Sequence, residues 1–260
     1  MNMPAIDYSR VAHFYDAYVN TDFDVSFFLN EAKEAPRVLE LMSGTGRLSI
    51  PLIESGVQLT CVDNSPDMLA LLRKKLVDKK LSACVHEMDV CDLALKGPFD
   101  LIIIAFHAFA EILGRDDQRK ALAGIQRLLI TGGRFICTLH NPPVRLKSVN
   151  GKLSQRGKYL LPDQGTLFLS AIQHYDAANQ VVNGTQFYEA YDAFGEMESK
   201  SFADIQFYLH QKDEFEELVK SEGFSILDLY GDYSHSQFGK DKSPFMIWKL
   251  GNASGPRKRD

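Results

Sequence analysis

Two kinds of hydrophobic pattern divide this chain near residue 141. Before that point, short apolar runs alternate with stretches of helical period. Val38, Leu39 and Leu41 make one run, Gln58 to Val62 a second, residues 83–87 a third, and residues 100–105 a fourth. Between them the apolar residues recur three and four apart. Arg47 to Glu54 carries Leu48, Ile50, Leu52 and Ile53, residues 65–77 follow suit, and Asp116 to Leu129 carries Ala121, Leu122, Ile125, Leu128 and Leu129. Such alternation predicts strand–helix pairs around a parallel sheet. The unbroken apolar run at 100–105 is what a central strand covered on both faces needs. Thr131, Gly132 and Gly133 predict the end of the helix before them, and a strand is expected at 134–139. Ahead of all this, residues 6–33 predict two helices, one bearing Tyr8, Phe14, Tyr15 and Tyr18, the other Phe23, Phe27 and Phe28.

From Asn141, Pro142 and Pro143 onward the pattern changes. Residues 144–165 have little periodicity and contain Gly151, Gly157, Pro162 and Gly165, which predicts an extended loop or lid. Three β-rich segments follow, Thr166 to Tyr175, Gln180 to Ala190 and Lys200 to Leu209. The turn at Asp176 to Asn179 joins the first two, so an antiparallel sheet is expected. Helix 211–221 and strands 224–230 and 245–250 then return to the first layer. The organisation expected is an N-terminal helical cap (1–35), an α/β core (36–140 with 211–250), an antiparallel insertion and lid acting as substrate cover (141–210), and a disordered tail (251–260).

Composition narrows the class. The chain has 260 residues, 45% of them hydrophobic, enough for a full core. A net charge of −5 supplies no basic face for nucleic acid, and Arg257, Lys258 and Arg259 fall in the expected tail. No apolar run approaches the ~20 residues of a spanning helix, and Asp7, Arg10 and Asp16 interrupt any secretory leader. Cys61, Cys84, Cys91 and Cys137 lack metal-type spacing, which favours reduced structural thiols in the cytoplasm and no metal site.

The chemistry begins where the first strand ends. Val38 to Leu41 leads into a turn with Gly44 and Gly46, where a backbone without Cβ atoms can approach a ligand closely. The second strand ends in Asp63, an acid placed to meet ribose hydroxyls as in nucleotide-binding β-α-β units. Gly44 and Gly46 match the first two glycines of a dinucleotide fingerprint, while the third position is Ser49. Three further details point elsewhere. Glu40 closes the first strand, where a carboxylate can face an ammonium group. Asn64, Ser65, Pro66, Asp67 and Met68 open a helix with Ser65 as N-cap. Met88, Asp89 and Val90 end the third strand with an acid in reach of an adenine amino group.

The series Glu40, Asp63 and Asp89 on successive strands resembles the class I S-adenosylmethionine-dependent methyltransferases over roughly residues 36–140. The family usually has glycine where this chain has Met42. The resemblance implies a Rossmann-like three-layer αβα fold with a mostly parallel seven-stranded sheet and the antiparallel insertion after the fifth strand. It implies S-adenosyl-L-methionine as cofactor, leaving S-adenosyl-L-homocysteine. Glu40 and the Gly44–Gly46 turn would hold its methionine end, Asp63 its ribose, and Asp89 with its neighbours Met88 and Val90 its adenine, while Met42, Ser43, Arg47, Asn64 and Met68 would also bind it. Phe106 would flank the methionine part, and Tyr8 and Tyr15 would cover the cofactor from the N-terminal cap.

Strand ends also nominate acceptor residues. His107 is the candidate substrate contact or base, with His140 and Asn141 beside it at the end of the next strand. The insertion resembles in position those of glycine N-methyltransferase and the sugar N,N-dimethyltransferases. The acceptor expected is a nitrogen or oxygen of a small molecule, with a protein or tRNA as the weaker option. No nucleic acid or membrane partner is expected, and the protein would be a monomer or homodimer. A catalytically inactive cofactor-binding protein fits the same motifs. An NAD(P)-dependent reductase could claim Tyr208 and Lys212, though these straddle a strand end and a helix start. His210 and His174 are expected to face solvent.

Overall fold

In the computed structural model, residues 6–252 are described. The first layer is a seven-stranded sheet ordered β10-β11-β5-β4-β1-β2-β3. Its strands are β1 (Val38–Leu41), β2 (Leu59–Asp63), β3 (Cys84–Glu87), β4 (Phe99–Ile104), β5 (Leu129–His140), β10 (Phe224–Tyr230) and β11 (Phe245–Asn252). All neighbours are parallel except β11, which runs antiparallel to both β5 and β10. Leu101 to Ile104 are fully buried because both faces of β4 are covered. One face packs Ile102, Ile104, Phe135 and Trp248 against α5 (Arg115–Leu128) and α7 (Lys212–Ser221). The other packs Val38, Leu101, Ile103 and Ile247 against α2 (Val25–Ala32), α3 (Ser49–Glu54) and α4 (Pro66–Asp78). This is the Rossmann-like methyltransferase arrangement.

A second sheet, antiparallel throughout, has the order β6-β7-β8-β9. It comprises β6 (Ser154–Leu160), β7 (Thr166–Asp176), β8 (Val181–Tyr191) and β9 (Met197–Tyr208). Val182, Ile205 and Phe207 pack into the main core, which seats the sheet on the parallel layer. The first helix, α1 (Ala12–Tyr18), sends Phe14 and its neighbour Val11 into a separate cluster with Leu167, Leu169 and Tyr188 of this sheet. Ile6 bridges to Ile205 of β9. The N-terminal segment is therefore shared between the layers rather than resting on one.

Several sequence expectations are corrected. Residues 144–165 are not a bare loop: a short helix α6 (Pro142–Arg145), a 3-10 turn at Leu146–Ser148 and the edge strand β6 occupy them. β6 escaped notice because Gln155, Arg156 and Lys158 make it polar, as befits an edge. Gly132 and Gly133 do not end the helix. α5 stops at Leu128 and the glycines lie in a bulge of β5, where Leu129 pairs with Phe99 and Arg134 with Leu101. His210 is 1% exposed, folded among Phe109, Tyr208 and Phe215, whereas His174 does face solvent. Cys84 is exposed on the edge strand β3. Of the expected tail, Gly251 and Asn252 belong to β11, and residues 253–260 lie outside the described ones. Among the described residues no helix is long and apolar enough to cross a membrane.

Candidate active site

The turn after β1 is built around positive backbone angles. Gly44 and Gly46 sit at φ +54° and +83°, and Met42 sits at +57°. A side chain at Gly46 would drive its Cβ into Leu72 Cδ1 of α4, so that leucine would have to shift. At Gly44 a Cβ would meet nothing within 4 Å, because the position faces open space. Met42 adopts the conformation that glycine would take, at a cost of about 1–2 kcal/mol, so the departure from the family residue leaves the turn intact. α3 begins at Ser49 rather than at Arg47, which leaves the Arg47 side chain in the turn and able to reach backwards.

Asp63 at the end of β2 fastens this turn to the next. Its Oδ2 accepts the Gly44 N–H at 2.7 Å and its Oδ1 the Ser65 N–H at 2.9 Å. Ser65 Oγ in turn caps α4 by accepting from Met68 N. Despite these amides, burial lifts the Asp63 pKa. Glu40 is 4% exposed and accepts one hydrogen bond, from Ser49 Oγ at 2.6 Å; burial pushes it up to about 7.

Acids from the N-terminal helices brace the turn from outside. Arg47 makes a two-pronged pair with the fully buried Asp24, both contacts 2.6 Å, and donates to the Thr21 carbonyl. Thr45 Oγ1 donates to Asp16 at 2.6 Å, and Lys75 reaches both Asp16 and the Thr45 carbonyl. Sequence reasoning missed Asp24. Asp16 stood in view directly after Tyr15, a pairing that could have flagged it.

These elements border one continuous cavity of about 1220 Å³. Of the expected cofactor residues, Glu40, Met42, Ser43, Gly44 and Arg47 line it from β1 and its turn. Asp63, Asn64 and Met68 follow from β2 and α4, and Asp89 and Val90 from beyond β3. Tyr8 and Tyr15 cover it from the N-terminal side, and Phe106, His107 and His140 reach it from β4 and β5. Three expected residues are not brought to it. Gly46 packs on Leu72, and Met88 packs into the core while its N–H donates to the Asp63 carbonyl. Asn141 is 1% exposed, and its amide donates to the Lys240 and Ser243 carbonyls, pinning the loop before β11 instead of facing an acceptor.

Glu111 went unnoticed in the sequence. It ends a 3-10 turn (Ala108–Glu111) after β4 and lines the cavity. Tyr8 Oη donates to its Oε1 at 3.3 Å, and burial, then the Asp63 charge, push it up to about 7. Glu40, buried, and Asp63 and Glu111, half-buried, thus line the same cavity, none of them in an ion pair among the described residues. Such a group is suited to a cationic ligand.

A row of flat groups runs along the cavity from the turn after β1 to the insertion. The Arg47 guanidinium lies 4.6 Å from the Phe106 ring centre. His107, at φ +66°, stacks on His140 with ring centres 3.8 Å apart, and Phe207 follows at 5.3 Å. The Arg145 guanidinium lies 5.0 Å over Phe207 and closes the row. Burial, then the Arg145 charge, lowers His107 to about 3; burial, then His107, carries His140 well below its usual value. Both rings are neutral at neutral pH. Tyr208 and Lys212 are absent from the cavity: Tyr208 Oη donates to Glu214 and Lys212 pairs with Glu216 and Asp213.

Comparison with known proteins agrees with this geometry. A family described as a methyltransferase domain matches residues 38–133. The chain is 27% identical over 229 residues to a glycine/sarcosine N-methyltransferase of Aphanothece halophytica, covering 85% of this chain and 78% of that protein. It is 26% identical over 235 residues to a glycine/sarcosine/dimethylglycine N-methyltransferase of Actinopolyspora halophila, covering 85% of this chain but only 37% of that longer protein. In fold it is similar to an S-adenosylmethionine-dependent methyltransferase of Clostridium acetobutylicum, with a TM-score of 0.81, 20% identity, and coverage of 95% of this chain and 99% of the other.

Proposed function

We propose that the chain is a class I S-adenosylmethionine-dependent methyltransferase and that it methylates a nitrogen of a small-molecule acceptor. One observation carries this reading: the cavity lined by the proposed cofactor residues is lined also by Gln173, Gln186, Ile205 and Phe207 of the antiparallel sheet. A volume of about 1220 Å³ suits a nucleotide cofactor and one small partner, since sites for single ligands run to roughly 300–1,000 Å³. The two N-methyltransferase relatives favour nitrogen over oxygen.

The residues present fit the cofactor. Gly44 leaves open space where a side chain would intrude, and the uncompensated acids match a cation. Glu40 and the turn through Ser43 and Gly44 would hold the methionine end, Asp63 the ribose, and Asp89 with Val90 the adenine, with Tyr8 and Tyr15 covering it. When bound, the cofactor supplies an already activated methyl group on a sulfonium. The protein's work is to orient the acceptor, exclude water and keep the amine unprotonated. His107, held neutral by its burial, would accept a hydrogen bond rather than serve as a strong base. We place the protein in the cytoplasm on the support of its four free cysteines.

The test is a transfer assay with methyl-labelled S-adenosylmethionine offered to a panel of small amines and amino acids, to unrelated protein and to tRNA. Label in a small amine is expected. Label confined to protein or tRNA would reject the small-molecule acceptor while leaving the methyltransferase assignment in place.

A further inference from the structure

Phe23, in the link between α1 and α2, is the exposed end of a line of rings that begins inside the cavity. From Phe207 the ring centres step 5.3 Å to His140, 3.8 Å to His107, 5.2 Å to Phe245 and 5.8 Å to Phe23. All five residues line the cavity. Phe23 and Phe245 lie nearly parallel, 8° apart, and Phe106 flanks Phe23 at 6.3 Å. Tyr233 backs Phe23 and Phe245 at 5.4 and 5.3 Å, fixed by its hydroxyl on Thr138. With four rings around it, Phe23 is still 46% exposed.

Two features hold these rings in place. Asp24, the residue after Phe23, is fully buried and paired twice with Arg47, which ties the backbone carrying Phe23 to the turn after β1. Phe106 and His107 are consecutive residues at φ +53° and +66°, a conformation that costs energy for any side chain and persists where a site uses it. An apolar ring left half in water beside a ligand cavity is stabilised when a second ring covers it. The cavity, at about 1220 Å³, exceeds the roughly 300–1,000 Å³ of a single-ligand site. An acceptor of only a few atoms beside the cofactor would leave these rings against water.

Resting on the small-acceptor reading above, we propose that Phe23, stacked on Phe245 and flanked by Phe106, is a specificity-determining residue that receives an aromatic ring of the methyl acceptor. The acceptor is then an arylalkylamine. Its ring lies against Phe23 and Phe245, and a short alkyl link carries its nitrogen inward toward Phe106, the residue expected beside the methionine part of the cofactor. A flat ring suits this site better than an alkyl chain of equal size, because it can stack on one neighbour and meet the edge of the next.

The test separates ring recognition from turnover. Phenylethyl alcohol, which has the ring but no nitrogen, and hexyl alcohol, which is as apolar but not flat, are titrated into the protein with S-adenosylhomocysteine bound and followed by ligand-observed NMR. Wild type should bind phenylethyl alcohol saturably in the millimolar range and hexyl alcohol about fivefold more weakly. Phe23→Ala should weaken phenylethyl alcohol by about fivefold, and Phe23→Tyr, which keeps a ring, by less. In the transfer assay phenylethylamine should exceed hexylamine in kcat/KM by about fivefold, a ratio that Phe23→Ala brings toward one. No binding of phenylethyl alcohol by wild type up to about 50 mM, equal binding of the two alcohols, or an undiminished preference in Phe23→Ala would overturn the assignment of Phe23. The wild-type comparison of the two alcohols stands even if the variants fold poorly. A preference for phenylethyl alcohol that depends on Phe23, with label going only to protein or tRNA, would reject the small-acceptor reading and keep the ring site. Label in small amines with no preference for a ring would reject the ring site and keep the reading.

Discussion

On the β1–β2 side of the cavity Glu40 is buried and Asp63 and Glu111 half-buried without a cation partner among the described residues, and on the insertion side the half-buried Arg145 has no anion partner among them. The two ends also differ in how they are braced. The acid end is tied by the Arg47–Asp24 pair, by Asp16 with Thr45 and Lys75, and by backbone amides on Asp63. The Arg145 end rests on the Gln173 amide, the Ser148 hydroxyl and the face of the Phe207 ring. The proposed cofactor end is built into the parallel layer, and the proposed acceptor end draws on the separate antiparallel layer, which can vary without disturbing the first.

Breaking the acid end outright should have the largest effect. Gly46→Val forces a branched residue to φ +83° and into Leu72. Strain and overpacking together cost about 3 kcal/mol, a fall of about 10 °C in Tm for a chain of this size, with loss of cofactor binding. A variant that melts like wild type and still binds S-adenosylhomocysteine would show that the turn is not the rigid part.

Removing one charge sharpens the comparison. Glu40 and Glu111 titrate near 4.5 in the unfolded chain and about 7 in the fold, so the folded protein keeps protons the unfolded chain has lost. The stability of the ligand-free protein therefore falls as pH rises between these values. A cationic ligand favours the ionised carboxyls, so affinity for S-adenosylmethionine should climb over the same window, and less so for the uncharged sulfur of S-adenosylhomocysteine. Glu111→Gln should raise Tm at pH 8 and reduce the affinity gain between pH 6 and pH 8 by about threefold. Identical pH slopes in calorimetry for wild type and variant would remove Glu111 from the acid end.

The smallest effect is expected at the other left-handed position of the same turn. Met42→Gly relieves about 1 kcal/mol of backbone strain and loses a side chain that packs partly against the core. The two offset, so Tm should move by less than about 3 °C and cofactor affinity by less than about twofold. A large loss of either would mean that the Met42 side chain, not the backbone, shapes the turn.

The parallel layer was legible because its central strands, β1 and β4, are buried on both faces and its helices on one, so runs and periods showed directly. β6 was not, since an edge strand carrying Arg156 and Lys158 has no buried face to impose alternation. Gly132 misled because a glycine after a helical stretch reads as a stop, whereas here it supplies the φ of +77° inside a strand bulge. In the cavity, residues beside the glycine turn could be nominated from local spacing alone. Glu111 and Arg145 could not, because each owes its setting to partners far along the chain, Tyr8 for one and Gln173 with Phe207 for the other. Asn141 shows the converse: a polar residue at a strand end, placed like a ligand contact, whose hydrogen bonds are used by a loop a hundred residues on.

The most direct measurement is isothermal titration of S-adenosylmethionine, S-adenosylhomocysteine and NADPH into wild type and Asp63→Ala at neutral pH. Micromolar binding of both sulfur nucleotides by wild type is expected, weakened about tenfold or more by the substitution as hydrogen bonds to a charged acceptor are lost, with no heat from NADPH. Binding of NADPH, or undiminished affinity in Asp63→Ala, would contradict the account.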